Sequence, residues 1–265
     1  MTKILMCPPD YFSISYAINP WMKVGENSDP EKAKKQWETL KETIEQLGAK
    51  VEAMPAQPGL PDIVFTANAA LVYKNNAVIS RFKFKERIPE EKFYAEWFED
   101  SGYNVTYLPI GMSFEGAGDA LFLNDTLFSG YVPRTDIHSH TLISKLLKIR
   151  VLSLELRDSR FYHLDTCFCP LTDGYLLYYP DAFDDYGNKV IENNVSENKR
   201  IKVSEEEACM FSCNAVNVDK SIIMNKTTSR LRKEIENKGF TLYEVDMSEF
   251  LKSGGSCKCL TLKLD

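Results

Sequence analysis

Several things are scarce in this chain, and each scarcity excludes a class of protein. Only three histidines occur in 265 residues, which leaves little for an imidazole-rich metal site. No apolar run reaches the ~18 residues that a membrane-spanning helix needs. The opening stretch, MTKILMCPPDYF, is too briefly apolar for a secretory signal, and no membrane partner is expected. A basic excess is also missing. Lys and Arg number 32 against 38 Asp and Glu, a net charge of -6. That sign is wrong for a nucleic-acid partner but mildly suits a small cation. Ser/Gly-rich linkers and low-complexity tracts are lacking, so one domain over residues 1–265 is expected. The cysteines number seven, an odd count. Without an export signal they read as reduced thiols in a cytoplasmic protein. Their local pairs, CFC, CMFSC and CKC, lack the C-x-x-C spacing of common zinc sites, and no metal is expected.

What is present is a repeat. Four segments read as an apolar run, a polar turn and a second apolar run: NAALVYKNNAVISRF, DALFLNDTLFSGY, DTCFCPLTDGYLLYYP and NAVNVDKSIIMNK. Their turns carry hairpin chemistry. A fifth segment, CKCLTLKL, begins at Cys257. The starts Asn68, Asp119, Asp165, Asn214 and Cys257 are 51, 46, 49 and 43 residues apart. Amphipathic helical stretches lie between them. In the first, Trp37, Leu40, Ile44 and Leu47 fall at helical spacing, with Asp29 placed to cap and Gly48 to stop. Short strand-like pieces follow: KVEAMP, NVTYLP, VLSLEL and TLYEVD. A period near ~45–50 residues signals an array or propeller. In a closed ring the polar hairpin starts would converge on a central pocket. The polar stretch 184–204 reads either as a surface excursion or lid, or as a helix with adjoining loops. Segments 11–24, 184–204 and 248–256 are the candidates to close over a pocket.

The residues gathered by such a ring include a thiol, an imidazole, carboxylates and amides. A thiol with an imidazole supports nucleophilic catalysis, because the base helps form the thiolate and then shuttles a proton. Carboxylates beside them favour a cation, and a planar guanidinium presents donors in a fixed fork. Cys257 follows two glycines in GGSCKC, which permits close backbone approach. His163 stands in YHLDT, and Glu115 and Asp119 flank EGAGD. Arg87 and Arg134 are candidates to hold a carboxylate bidentately. An inert buried cysteine and a structural histidine remain the plain alternatives for these residue types.

Six motifs in order carry a resemblance over nearly the whole chain: MCPPDYFSISYAINPWM, FTANAALV, FEGAGDALF, GYVPRT, HLDTCF and GGSCKCLT. The chain resembles the guanidine-modifying, or pentein, superfamily of arginine deiminases, dimethylarginine dimethylaminohydrolases, amidinotransferases and arginine dihydrolases. The resemblance implies an α/β fold, a five-bladed α/β propeller with pseudo-fivefold repeats around a central active-site channel. It implies that Cys257 attacks the guanidinium carbon to give an alkylthiouronium. His163 then serves as acid and base, and Glu115 and Asp165 bind the guanidinium nitrogens. Arg87 and Arg134 are expected on the substrate carboxylate, Phe65 along its stem, Asn19 at its amino-acid end or in a gate, and Asp119 behind the Glu115 loop. Deiminases and dimethylargininases usually carry Asp where this chain has Asn68. TAN, MCPPDYF and INPWM are most similar to the arginine dihydrolase branch, which takes arginine to ornithine, ammonia and carbon dioxide. A single-step deiminase, a dimethylargininase, an amidinotransferase and a non-catalytic binding member of the fold are the alternatives. No cofactor is implied, since thiol and imidazole suffice. The expected partner is a small guanidino substrate, and a homo-oligomer is compatible with the exposed helix faces.

Overall fold

The four hairpins form where the polar turns predict them, in a computed structural model that describes residues 1–264. They are β3 (Ala70–Tyr73) with β4 (Asn76–Ile79), β6 (Ala120–Leu123) with β7 (Thr126–Tyr131), β9 (Phe168–Leu171) with β10 (Tyr175–Tyr178), and β12 (Val216–Val218) with β13 (Ser221–Met224). Lys74, Asn124, Asp173 and Asp219 hold the turns with φ between 49° and 61°. That left-handed backbone matches the twist of paired strands. From each hairpin the chain crosses through a helix to a third strand, parallel to the second. These third strands are β5 (Asn104–Tyr107), β8 (Arg150–Glu155), β11 (Arg200–Lys202) and β14 (Thr241–Glu244).

The fifth blade is assembled from both parts of the chain. β1 (Lys3–Met6) pairs in parallel with β2 (Lys50–Ala53), and antiparallel with β15 (Leu262–Lys263) in the register Leu5 to Leu262. The result is five three-stranded mixed sheets in a ring, the pentein propeller. Helix α1 (Pro30–Gln46) is capped by Asp29, whose side chain accepts from the Lys32 amide. It buries Ala33, Trp37, Leu40 and Ile44, the i, i+4, i+7 stripe that an amphipathic helix turns to a core. Helices α2 (Glu90–Asp100), α3 (Ile137–Leu147) and α6 (Ser229–Asn237) do the same for their blades. Residues 184–204 form α4 (Asp185–Asn194) and β11, which pairs with β10. This stretch is blade structure, so the lid reading is wrong and the helix reading right. Two short helices, α5 (Glu205–Cys209) and α7 (Ser248–Leu251), complete the set. No helix among the described residues is long and apolar enough to cross a membrane.

The register of the repeat differs from the one read off polarity. The equivalent positions lie five residues before the first inner strand residues Ala70, Ala120, Phe168, Val216 and Leu262. They are Phe65, Glu115, His163, Phe211 and Cys257, spaced 50, 48, 48 and 46 residues apart. A tight 3-10 turn follows this position in the first three, at Thr66–Asn68, Gly116–Gly118 and Leu164–Thr166. The polar hairpin starts serve another purpose, which is to tie neighbouring blades together. Asn68 Nδ2 donates to Glu115 O at 3.3 Å, and the Leu164 amide to Asp119 Oδ1 at 3.0 Å. Asn214 Nδ2 donates to Asp165 O at 3.0 Å, and Asn214 Oδ1 accepts from the Cys259 amide at 3.1 Å. The Ala67 amide donates to Cys259 O at 3.1 Å and closes the circle. Buried polar groups at the axis are thereby paired. Farther along the inner strands the channel widens to a cavity of about 330 Å³, lined by Leu71, Leu121, Phe168, Val216 and Lys258.

Candidate active site

Three of the five equivalent positions carry reactive groups: Glu115, His163 and Cys257, each at most 1% exposed. Glu115 is the hub. Its Oε2 meets His163 Nε2 at 2.7 Å and accepts from Arg134 Nη1 at 2.8 Å, while Oε1 accepts from the Lys83 amide at 3.2 Å. Burial pushes this carboxyl up. Arg134 and His163 more than offset that and hold it well below the usual carboxylate range. Glu115 is therefore a buried anion beside the imidazole. Its own backbone amide is held by Thr135, which Asp119 holds in turn. Asp119 Oδ2 accepts from Thr135 Oγ1 at 2.6 Å, and Thr135 Oγ1 accepts from the Glu115 amide at 3.2 Å. Burial raises the Asp119 carboxyl to about 6.

Cys257 lies in the turn after Gly254 and Gly255. A side chain at Gly255 would come within 2.4 Å of the Phe65 ring, and Gly254 has φ +76°, so both positions need glycine. Burial pushes the Cys257 thiol up to about 12. All seven cysteines are free thiols.

The other expected residues fall in two neighbouring groups. Asn68 Oδ1 accepts from Arg87 Nη1 at 2.8 Å. Arg87 is buried, stacks 4.3 Å from the Phe82 ring centre, and gives its remaining directions to Glu90 and to Asp62 O. Arg134 is likewise spent, on Glu115 and on Ile18 O, between the rings of Phe84 and Tyr162. In this closed state neither arginine is poised on an outside carboxylate. Asp165 is buried. It receives the Cys259 thiol at 3.6 Å, and burial pushes its carboxyl to about 6 against the pull of Lys258.

Segment 11–24 covers the site. Asn19 Nδ2 donates to Ser253 O at 3.0 Å, Trp21 Nε1 donates to Arg160 O at 2.7 Å, and Phe12 packs edge-on against Phe65. Asn19 is thus a latch between the cover and the nucleophile turn. Phe65 is a wall, packed between Phe12, Phe250 and Gly255.

Two acids escaped the sequence reading. Asp62 is 3% exposed; its Oδ2 accepts from Tyr16 at 2.9 Å, while its buried Oδ1 has no partner among the described residues. Burial raises its carboxyl, with Arg87 opposing. Glu90, fully buried, chelates Arg87 and accepts from Tyr94. The signal for Asp62 was a lone acid inside the apolar run LPDIVF. For Glu90 it was the i, i+3 spacing from Arg87.

The arrangement offers a thiol, an imidazole and fixed anionic acceptors, all buried. It suits attack on the carbon of a planar cation. Comparison with known proteins agrees. The family model for eukaryotic N,N dimethylarginine dimethylhydrolase matches residues 9–264. The bifunctional arginine dihydrolase/ornithine cyclodeaminase AgrE of Nostoc is 49% identical over 99% of this chain, and this chain spans only 38% of that protein. An N(G),N(G)-dimethylarginine dimethylaminohydrolase of Mycobacterium tuberculosis is 38% identical, with 98% and 84% of the two chains covered. The solved N-terminal domain of ArgZ bound to substrate, an arginine dihydrolase of cyanobacteria, superposes with a TM-score of 0.97 at 49% identity, over 100% of this chain and 98% of that one. From motifs, fold and relatives together, this chain belongs to the dimethylarginine dimethylaminohydrolase-type family of the guanidine-modifying penteins.

Proposed function

We propose that the chain hydrolyses L-arginine twice, to ornithine, two molecules of ammonia and carbon dioxide. The observation that carries this reading is the ring position shared by Cys257, His163 and Glu115, with an amide, Asn68, beside them. Relatives named as arginine dihydrolases, at 49% and 50% identity, support it.

In the first step the Cys257 sulfur bonds to the guanidinium carbon. His163 gives a proton to the departing nitrogen, ammonia leaves, and an alkylthiouronium remains. Water, deprotonated by His163, attacks that carbon, and the C–S bond breaks to give citrulline. The second step repeats the attack on the urea carbon. A second ammonia leaves, and hydrolysis of the thiocarbamate gives a carbamic acid that loses carbon dioxide to yield ornithine. Glu115 keeps the imidazole oriented through the contact of its Oε2 with Nε2. Asp62, with an unpaired buried oxygen, offers an acceptor to the guanidinium or to the α-amino group. Arg134 would reach a substrate carboxylate once the cover opens and Ile18 O releases its Nη2, while Arg87 stays on Asn68 and Glu90. Asp165 acts from behind, through Cys259. No cofactor enters this scheme. The free thiols suit a reducing, cytoplasmic setting.

The test is product identification from arginine, citrulline, agmatine and methylated arginine. Ornithine from both arginine and citrulline is expected. Citrulline left untouched removes the two-step reading, and turnover of methylated arginine alone points to a dimethylargininase. A requirement for an added amine acceptor marks a transferase. Cys257→Ala should retain the fold and lose ammonia release. Asn68→Asp should stop the reaction at citrulline, with citrulline turnover down by about 10²-fold or more, the scale of a misplaced buried charge.

A further inference from the structure

We propose that Arg87 and Glu90 are positioning residues that fix the Asn68 amide with its N–H side away from Arg87, beside His163, and so select for the second hydrolysis; this rests on the two-step reading above. An asparagine amide has an acceptor oxygen and two N–H donors, and nothing in its shape alone decides which end faces a substrate. Here the choice is made. Arg87 Nη1 donates to Asn68 Oδ1 at 2.8 Å, which holds the oxygen on the Arg87 side. Arg87 is itself immobilised. Its Nε and Nη2 bind Glu90 at 2.7–3.2 Å, Nη2 reaches Asp62 O at 3.1 Å, and the guanidinium lies over Phe82. Both members of the ion pair are at most 4% exposed at the side chain. The amide nitrogen is turned the other way, giving one N–H to Glu115 O at 3.3 Å. It lies against Gly118, where an added side-chain carbon would come within 2.1 Å of Nδ2 and within 3.5 Å of the His163 ring. The nitrogen therefore lies near the imidazole, and its second N–H has no partner among the described residues.

A guanidinium carries only donors, so this N–H does nothing for arginine. Citrulline differs by a single acceptor, the urea oxygen, which is what a spare donor beside His163 can hold. An aspartate at the same place would pair one oxygen with Arg87. Its other oxygen would face the Glu115 carbonyl and the substrate as a bare acceptor, which favours a guanidinium and repels a urea oxygen. The one-step and two-step outcomes therefore depend on a donor orientation that Arg87 and Glu90 impose.

The experiment compares the two steps within the full chain. Arginine and citrulline are supplied separately, and ornithine, citrulline and ammonia are quantified. Arg87→Leu with Glu90→Leu removes both charges together, leaving neither stranded, and frees the Asn68 oxygen. The expected result is citrulline accumulation from arginine, with kcat/KM on citrulline falling at least tenfold more than on arginine. Glu90→Gln, nearly isosteric, should shift the partition the same way by a smaller factor and serves if the double variant does not fold. Arg87→Lys, which keeps one donor for Asn68 Oδ1, should restore part of the ornithine yield relative to the double variant. Equal losses in both steps across these variants would mean that the pair is merely structural and would overturn the proposal. A wild-type chain that stops at citrulline overturns the two-step reading itself, and is told apart because no variant is needed to see it.

Discussion

A neutral and a cationic alkylating agent of the same size should meet Cys257 very differently. Burial holds its thiol at about 12, which leaves roughly one part in 10⁵ as thiolate at pH 7. A planar cation about 4 Å from the sulfur, at an effective dielectric constant near 20, stabilises the thiolate by about 4 kcal/mol. That lowers the thiol by about three pKa units and raises the reactive fraction about 10³-fold. Chloroacetamide and chloroacetamidine share a leaving group and nearly a shape, and differ in that only the second is cationic. Inactivation of ammonia release at pH 7 would be timed with each reagent, and each rate divided by its rate with a small free thiol. The amidine should be faster by about 10³ after that correction. Closure by segment 11–24 slows both alike and cancels. Equal corrected rates would refute the reasoning, as would a thiolate ultraviolet absorbance, lost in Cys257→Ala, that titrates around neutral pH in the free chain. Either result would mean that the thiolate is made by the protein alone rather than with help from the bound cation.

Two further outcomes follow from the fold and its buried acids. Burial raises the Asp165 carboxyl to about 6 from an ordinary 3.8, so the folded chain holds this proton more tightly than the unfolded one. The stability it confers is full below about pH 4 and is lost as pH rises through 6, up to about 3 kcal/mol. Asp165→Asn removes that loss, so the Tm of the variant should gain on wild type between pH 4.5 and 7.5; a gap that stays constant with pH contradicts this. Leu262 is 1% exposed and lies in the two-residue strand that joins the chain's end to β1. Leu262→Ala should cost about 2–4 kcal/mol in urea unfolding, and a cost below about 1 kcal/mol would show that the ring does not depend on that seam.

Much of this architecture was legible because hairpins announce themselves by local chemistry. Apolar run, polar turn and apolar run placed four hairpins, and the pieces KVEAMP, NVTYLP, VLSLEL and TLYEVD became the parallel partners β2, β5, β8 and β14. The third blade was harder. Its helix α4 is rich in Asn, and β11 has three residues, too few for alternation to register. Of the motif residues, His163 and Glu115 touch, and Cys257 holds the equivalent position of the fifth blade. Their partners were less visible, because pairing between residues distant in sequence leaves no local trace. Arg134 on Glu115 spans 19 residues, and Tyr16 on Asp62 spans 46. Polarity also misled. It picked out Asn68, Asp119, Asp165 and Asn214, which fasten blade to blade, when two of the true equivalents are phenylalanines.

Those two phenylalanines explain how a symmetric ring supports an asymmetric site. Of the five equivalent positions, Glu115, His163 and Cys257 carry charge, proton and sulfur. Phe65 and Phe211 carry the cover: Phe12 packs on Phe65 with ring centres 5.9 Å apart, and Trp21 on Phe211 at 4.9 Å. Segment 11–24 is therefore fastened at the two positions that do no chemistry, and it spans the three that do. Trp21 has a second hold through its indole N–H to Arg160 O at 2.7 Å. An aromatic contact of about 1 kcal/mol and a hydrogen bond of about 1 kcal/mol make Trp21→Ala cheaper to open by about 2 kcal/mol, or roughly 30-fold. Trp21 is half-buried and outside the reacting groups, so the loss should fall on closure. Chloroacetamide should inactivate Trp21→Ala faster than wild type by up to that factor, while the ratio between the cationic and neutral reagents shrinks as water enters and screens the channel. If both reagents keep their wild-type rates, the cover is not held from Phe211, and the fifth position has some other task.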